Sequence, residues 1–328
     1  MQLLLTEAAL ARVETRLRPL ARNLDVVTLN AENEFKRGGR KIHADEVDPE
    51  IFWLSLDAFP AGMLPAMFTK VLKGSRGQWA QVFSAGLDNP GFKAVMVKGL
   101  RISKGSAQAI PIAEYVMAHA LSLLHPIDAA REAQAAGEWK RLSFREIGHS
   151  RWLLVGFGTI GHEIARRLRP FGAHITAVRR SADPEPLVDQ LATPAELTGL
   201  LTQSDVVVLA CALNDETRGL AGEGFFRAMK PGSILINIGR GELVVDEALR
   251  AGLDRSQPEH AVLDVFHTEP LPSGAWQWGH PKVRVTAHTS NGGDGTLTRG
   301  DDQFLENLRR YLAGEPLLNE AARSEVGL

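Results

Sequence analysis

Glycines carry the first legible chemistry. Leu153-Leu154-Val155-Gly156-Phe157-Gly158-Thr159-Ile160-Gly161 places a Gly-x-Gly-x-x-Gly run behind an apolar strand pattern. A helix pattern follows, with Ile164, Ala165, Leu168 and Phe171 on one face and Gly172 at its close. The first glycine permits a tight turn, the second lets backbone approach a pyrophosphate, and the third lets helix and strand pack closely. The start of such a helix offers unpaired N–H groups and a positive dipole end to phosphates. A second strand, His174–Val178, completes a βαβ unit, and 23 residues past Gly156 the chain carries Arg179-Arg180-Ser181. A carboxylate at that point would hold a ribose 2′-hydroxyl, whereas guanidinium forks and a hydroxyl suit a 2′-phosphate. The expected cofactor is therefore NADP(H), gripped by Gly156, Phe157, Gly158, Thr159, Ile160, Gly161, Arg179, Arg180 and Ser181.

Three further segments carry a resemblance. Ile234-Leu235-Ile236-Asn237-Ile238-Gly239-Arg240-Gly241-Glu242-Leu243-Val244, Leu263-Asp264-Val265-Phe266-His267-Thr268-Glu269-Pro270-Leu271-Pro272 and Val285-Thr286-Ala287-His288-Thr289-Ser290 resemble the arginine, glutamate and histidine signatures of the D-isomer-specific 2-hydroxyacid dehydrogenase family. Their order and separations, 29 residues from Arg240 to Glu269 and 19 from Glu269 to His288, suit that family. With the glycine run, the resemblance covers about residues 80 to 320.

The resemblance implies a catalytic trio of Arg240, Glu269 and His288, and the chemistry requires those types. Reducing a 2-keto acid adds hydride to a carbonyl carbon and a proton to its oxygen. A protonated His288 would supply that proton. Glu269 would orient the ring and favour its charged form. Arg240 would bind the substrate carboxylate and carbonyl oxygen and fix one face toward the nicotinamide. Hydride chemistry belongs to the cofactor, so no metal is expected. The resemblance further implies backbone N–H groups of Ala85 and Gly86 receiving the substrate carboxylate. It places Cys211, Ala212, Leu213 and Thr217 along the nucleotide, and Asp264 and the Ile238 carbonyl at the nicotinamide carboxamide. Ala287 stands where proline is usual, and Ile238-Gly239 replaces the family's commoner pair before the arginine. Formate dehydrogenases share Arg240 and His288 but carry glutamine at the position of Glu269. Small 2-keto acids, glyoxylate and hydroxypyruvate first, are the expected substrates. The competing class is a dinucleotide-sensing interaction protein of corepressor type on the same fold.

The elements that must position these groups read as α/β. Strand patterns at Leu3–Leu5, Asp25–Leu29, Phe52–Leu56 and Gln81–Ser84 alternate with helix patterns at Ala8–Ala21 and Ala61–Leu72. The polar stretch Glu34–Asp48 reads as a loop, Ala107–Leu124 as a long helix, and Asp128–Glu146 as polar helix broken at Gly137. A second alternating series runs through Trp152–Val155, His174–Val178, Asp205–Ala210, Ser233–Ile238, Ala261–Val265 and Val283–Thr286, and Asp301–Leu312 is a final amphipathic helix. Two doubly wound parallel-sheet domains are expected. The resemblance makes them a Rossmann cofactor domain, 105–288, inserted into a flavodoxin-like substrate domain of 1–104 and 289–328.

Composition narrows the classes. At 328 residues the chain suits two domains. Apolar residues at 44% and charged residues at 23% are globular values, and 37 basic against 39 acidic residues leave no footprint for nucleic acid. The single cysteine, Cys211, excludes an internal disulfide and a multi-thiolate zinc site and fits a reducing compartment. Its longest apolar run, Val206 to Leu213, is too short to span a bilayer, and Gln2–Leu5 reads as a first strand and not as a leader. A cytoplasmic enzyme without membrane or nucleic-acid partners is expected. The resemblance adds homodimerisation, with Trp139, Trp276 and Trp278 on candidate contact segments.

Overall fold

Apolar residues in β1 (Gln2–Thr6), β2 (Asp25–Leu29), β5 (Ile51–Leu54), β6 (Trp79–Val82) and β7 (Arg101–Ser103) form a parallel array, and β3 (Phe35–Arg37) and β4 (Arg40–Lys41) extend one edge antiparallel. The order is β4-β3-β2-β1-β5-β6-β7, so its parallel strands follow the flavodoxin-like 2-1-3-4-5 pattern. The computed structural model describes residues 1–180 and 183–328. This first sheet belongs to a compact unit of Met1–Gln108 and Asp294–Leu328; the second unit is Ala109–Gly293.

Alternation along each strand explains the layers. Leu4, Phe52, Leu54, Ala80, Val82 and Ile102 face α2 (Leu64–Lys73) and α3 (Pro90–Val97), which contribute Met67, Val71, Phe92 and Val95. Leu3, Leu5, Ile51, Trp53 and Trp79 face the other way, onto Ala9, Val13 and Leu17 of α1 (Glu7–Leu17) and Phe304 and Leu308 of the C-terminal helix Thr296–Ala313. Thr6 accepts a hydrogen bond from Ala9 N–H at 3.0 Å and so caps α1 directly after β1.

The second unit carries α4 (Ala109–Leu124) and α5 (Ile127–Ala136), then β8 (Arg151–Val155), α6 (Thr159–Leu168), β9 (His174–Val178), β10 (Gln190–Ala192), α7 (Leu197–Leu201), β11 (Val206–Leu209), α8 (Glu223–Ala228), β12 (Ile234–Asn237), α9 (Asp246–Asp254), β13 (His260–Leu263) and β14 (Val283–Val285). All seven strands are parallel in the order β10-β9-β8-β11-β12-β13-β14, the doubly wound 3-2-1-4-5-6 arrangement with one strand added. Strands covered on both faces read as unbroken apolar runs. Val206, Val208, Ile234 and Ile236 pack toward α4 and α6, and Val207, Leu209 and Leu235 toward α7, α8 and α9. Each such buried side chain contributes about 1.5–3 kcal/mol.

Several expectations need correction. Glu34–Asp48 is a loop only in part. Phe35–Arg37 and Arg40–Lys41 form the short ribbon β3–β4, an edge where long charged side chains are at home, with buried Phe35 as its apolar anchor. Gly137 breaks the polar helix of Asp128–Glu146 as expected, at φ +70°, but beyond it residues 138–146 form no helix. Strand β7, strand β10 and helix α3 lack a reading in the sequence patterns; two of them are only three residues long. The final helix begins at Thr296, five residues before the expected Asp301.

Candidate functional site

One register row ends the second sheet. Val178, Val155, Leu209, Asn237, Leu263 and Val285 are successive partners across β9, β8, β11, β12, β13 and β14. Gly156, Cys211, Arg240, Asp264 and His288 each follow that row within three residues. A parallel sheet therefore delivers them to one edge, the carboxyl ends, where open α/β sheets bind ligands.

The glycine loop is built for a close approach. Gly156 has φ +97°, and a Cβ there would lie 2.5 Å from the Cys211 backbone nitrogen. A Cβ on Gly161 would meet the Gly156 carbonyl and the Phe157 ring at 3.0 Å, whereas one on Gly158 meets nothing within 4 Å. The strand-to-helix turn is thus tight beneath and open above, at the N-terminus of α6. That shape fits a dinucleotide pyrophosphate. Thr159 and Gly158 are exposed and Phe157 is buried. Arg179 and Arg180 follow β9, Arg180 exposed and Arg179 turned back to the Asp183 carbonyl and toward Glu185. Ser181 lies outside the described residues.

Cys211 is half-buried at the end of β11, and burial pushes its thiol up to about 11. Thr217 is directed inward: its hydroxyl donates to the Ala212 carbonyl at 2.7 Å and receives Asn214 N–H at 2.9 Å, closing the loop that carries Leu213.

The trio has a different construction. His288 has φ +52°, and its N–H donates to the Asp264 carbonyl at 2.9 Å. Its Nδ1 lies 2.8 Å from Glu269 Oε2; a carboxylate only accepts, so Nδ1–H donates and Nε2 faces away from Glu269. The other carboxylate oxygen, Oε1, receives Phe266 N–H at 2.9 Å. The His288 side chain keeps 42% of its surface accessible. Arg240 stands on the turn after β12. Asn237 Nδ2 donates to the Arg240 carbonyl at 2.9 Å, and Asn237 Oδ1 receives Gly239 N–H at 3.1 Å. A Cβ on Gly241 would lie 2.0 Å from the Phe266 carbonyl carbon and 2.3 Å from His267 N. The arginine turn therefore presses on the backbone that leads to Glu269, and Glu269 holds His288.

Asp264 takes a supporting position. It is fully buried; its Oδ1 receives the Thr286 hydroxyl at 2.6 Å and Thr289 N–H at 2.8 Å, and its Oδ2 receives Ser290 N–H at 3.1 Å. Tyr115 on α4 completes the chain at 2.7 Å from the Thr286 hydroxyl. Because that hydroxyl already donates to Asp264, Tyr115 must donate to it. Burial raises the Tyr115 phenol above its ordinary range, which keeps it a donor. Asn237 and Tyr115 were not among the expected site residues. Asn237 has a faint signal, a polar residue ending the run Ile234-Leu235-Ile236; Tyr115 has none, since its partner is 171 residues away. The loop with Ala85 and Gly86 follows β6 in the first unit, half-buried and shaped by a Ser84 hydroxyl bond to the Gly86 carbonyl. Among the described residues no group of three or more His, Cys, Asp or Glu is placed to hold a metal ion, and no helix is long and apolar enough to cross a membrane.

A doubly wound sheet with a glycine turn at its switch point, and an imidazole–carboxylate pair on the same edge, defines a dinucleotide-binding oxidoreductase. The family described as D-isomer specific 2-hydroxyacid dehydrogenase, NAD binding domain, matches residues 117–290. The chain is 29% identical over 252 residues to glyoxylate/hydroxypyruvate reductase A of Serratia proteamaculans (strain 568), covering 74% of this chain and 79% of that one. It is 30% identical over 249 residues to human glyoxylate reductase/hydroxypyruvate reductase, covering 72% and 74%. In three dimensions it is similar to a D-isomer specific 2-hydroxyacid dehydrogenase of Xanthobacter autotrophicus Py2, solved in complex with NADPH and MES, at TM-score 0.78, 24% identity and 98% coverage of both chains. The chain belongs to the D-isomer specific 2-hydroxyacid dehydrogenase family and is an oxidoreductase of that family.

Proposed function

We propose that this enzyme reduces small 2-keto acids, glyoxylate and hydroxypyruvate foremost, with NADPH. The observation that carries the reading is the 2.8 Å bond between His288 Nδ1 and Glu269, on the same sheet edge as the glycine turn and the arginine turn. When bound, the nicotinamide supplies the hydride. His288, held by Glu269 through Nδ1, donates a proton from Nε2 to the carbonyl oxygen and takes it back in the oxidative direction. Arg240 binds the substrate carboxylate, with Ala85 and Gly86 N–H groups as its further donors in the substrate-binding unit. In this reading 109–293 is the cofactor domain. The names of the Serratia and human relatives support the substrates, and Arg179 and Arg180 support NADPH, the coenzyme of the Xanthobacter structure.

We further read the enzyme as a cytoplasmic homodimer. Exposed Ile127, Trp139 and Phe144 leave apolar surface on the segment after α4 for a second copy, and light scattering of the purified protein tests it. Steady-state kinetics with glyoxylate, hydroxypyruvate, pyruvate and phenylpyruvate, each with NADPH and NADH, test the activity. The expected result is the highest kcat/KM for a two- or three-carbon keto acid with NADPH. A preference for NADH overturns the coenzyme assignment, and absence of turnover with all four overturns the reductase.

A further inference from the structure

The segment that leaves Arg240 is held carbonyl by carbonyl. Gly219 N–H donates to the Glu242 carbonyl and Ala221 N–H to the Leu243 carbonyl, each at 2.8 Å. Those donors are backbone groups, which almost any sequence supplies. The next carbonyl, that of Val244, is taken by a side chain instead: His267 Nε2 lies 2.7 Å from it. A carbonyl only accepts, so Nε2–H donates, and the neutral ring does this as well as the cation.

His267 stands where the arginine turn and the glutamate turn meet. A Cβ on Gly241 would lie 2.3 Å from the His267 backbone nitrogen. That nitrogen therefore packs against the start of the 241–244 turn, while the ring grips its end. The preceding residue, Phe266, gives its N–H to Glu269 at 2.9 Å, and the other Glu269 oxygen holds His288 Nδ1 at 2.8 Å. A slip of Val244 against His267 thus changes the distance between Arg240 and the imidazole–carboxylate pair. The ring fills no part of the core. It is exposed, on the wall of a cavity of about 460 Å³ that Arg218, Glu242 and Glu247 also line. Shortening it leaves no buried void, so a variant here keeps the fold.

We propose that His267 is a positioning residue for the reduction: its hydrogen bond to the Val244 carbonyl locks the arginine turn to the glutamate turn and so sets Arg240 at the distance from His288 that the substrate needs. The proposal rests on the 2-keto acid reading above and adds to it a residue that acts through the backbone of both turns.

The test is steady-state kinetics of the full-length enzyme with its best keto acid and NADPH, in wild type, His267→Ala and His267→Gln, with melting temperatures alongside. In His267→Ala, kcat is expected to fall about tenfold, the worth of one hydrogen bond, with the KM for NADPH unchanged. His267→Gln, whose amide N–H can take the place of the ring donor, is expected to recover most of that loss. A change confined to melting temperature would mean a merely structural contact and overturns the proposal. Equal losses of kcat in both variants would show that the donor is not what counts, and overturn it as well. So does a rise in the NADPH KM that matches the loss of kcat, since the coenzyme site would then be what had moved. A wild type that reduces no keto acid overturns the reading and this proposal together, whereas an active wild type with an equally active His267→Ala variant overturns the proposal alone.

Discussion

Glu269 is held from two sides, by Phe266 N–H on one oxygen and the His288 ring on the other. Its geometry is therefore set before any substrate arrives, which is the condition for effective proton transfer. Replacing His288 by Asn removes the proton donor of the proposed reduction and leaves the loop's backbone bonds to Asp264 intact. The expected outcome is a fall in kcat for glyoxylate reduction of about 10²–10⁴-fold, with NADPH still binding by fluorescence titration. A variant turning over at the wild-type rate would remove His288 from the chemistry. Cys211 makes a contrasting case. Its thiol, raised by burial to about 11 from 9.0, gives at pH 8.5 a thiolate fraction about a hundredfold below that of an ordinary cysteine. Iodoacetamide at that pH is expected to label Cys211 slowly by mass spectrometry, and labelling as fast as free cysteine would contradict its burial.

Elements, more than single residues, decide where the arginine sits. The turn after β12 can lie against the segment after β13 only because Gly241 has no side chain: a Cβ would lie 2.0 Å from the Phe266 carbonyl carbon. Gly241→Ala must push the two strand ends apart, a strain of about 1–3 kcal/mol. Both kcat/KM for glyoxylate and the melting temperature are expected to fall, and a variant with normal kinetics would show that this contact does not position Arg240. A second joint lies at the start of β9. Asp189 receives Ile175 N–H and the Arg169 guanidinium, each at 2.8 Å; burial opposes its charge, yet these donors hold its carboxyl down at about 2. Its stabilisation is complete above the ordinary carboxylate range and is lost as pH falls toward about 2. Asp189→Asn is therefore expected to melt about 2–4 °C lower at pH 7, with the gap to wild type closing between pH 4 and 2; a constant gap would sink the assignment. The strand ends that carry the glycine loop and Arg240 were legible in the sequence because each follows an apolar run, Trp152–Val155 and Ile234–Ile236, whereas His288 follows only Val283-Arg284-Val285 and was read, with Glu269, from a family resemblance. Asn237 and Tyr115 were not legible, because their meaning lies in partners that only the folded sheet brings near. Short β7 and β10 were lost for a related reason, since three residues carry too little periodicity to register.

At the scale of the whole molecule, each unit has its own sheet and its own two apolar layers, and in the second unit the chain is continuous from Ala109 to Gly293. A segment of about this size buries roughly 70% of its surface on folding, enough for independent stability. It contains the glycine turn, Arg179, Arg180 and the Arg240, Glu269 and His288 trio, and it lacks Ala85 and Gly86. Expressed alone, residues 109–293 are expected to unfold cooperatively and to bind NADPH, read by calorimetry and fluorescence. They are also expected to show no glyoxylate reduction, because Ala85 and Gly86, the backbone donors proposed for the substrate carboxylate, belong to the first unit. A fragment that folds yet ignores NADPH would break the link drawn here between the sheet edge and the dinucleotide. A fragment that turns over glyoxylate would show instead that Arg240 alone suffices to hold the substrate, and would withdraw Ala85 and Gly86 from the site.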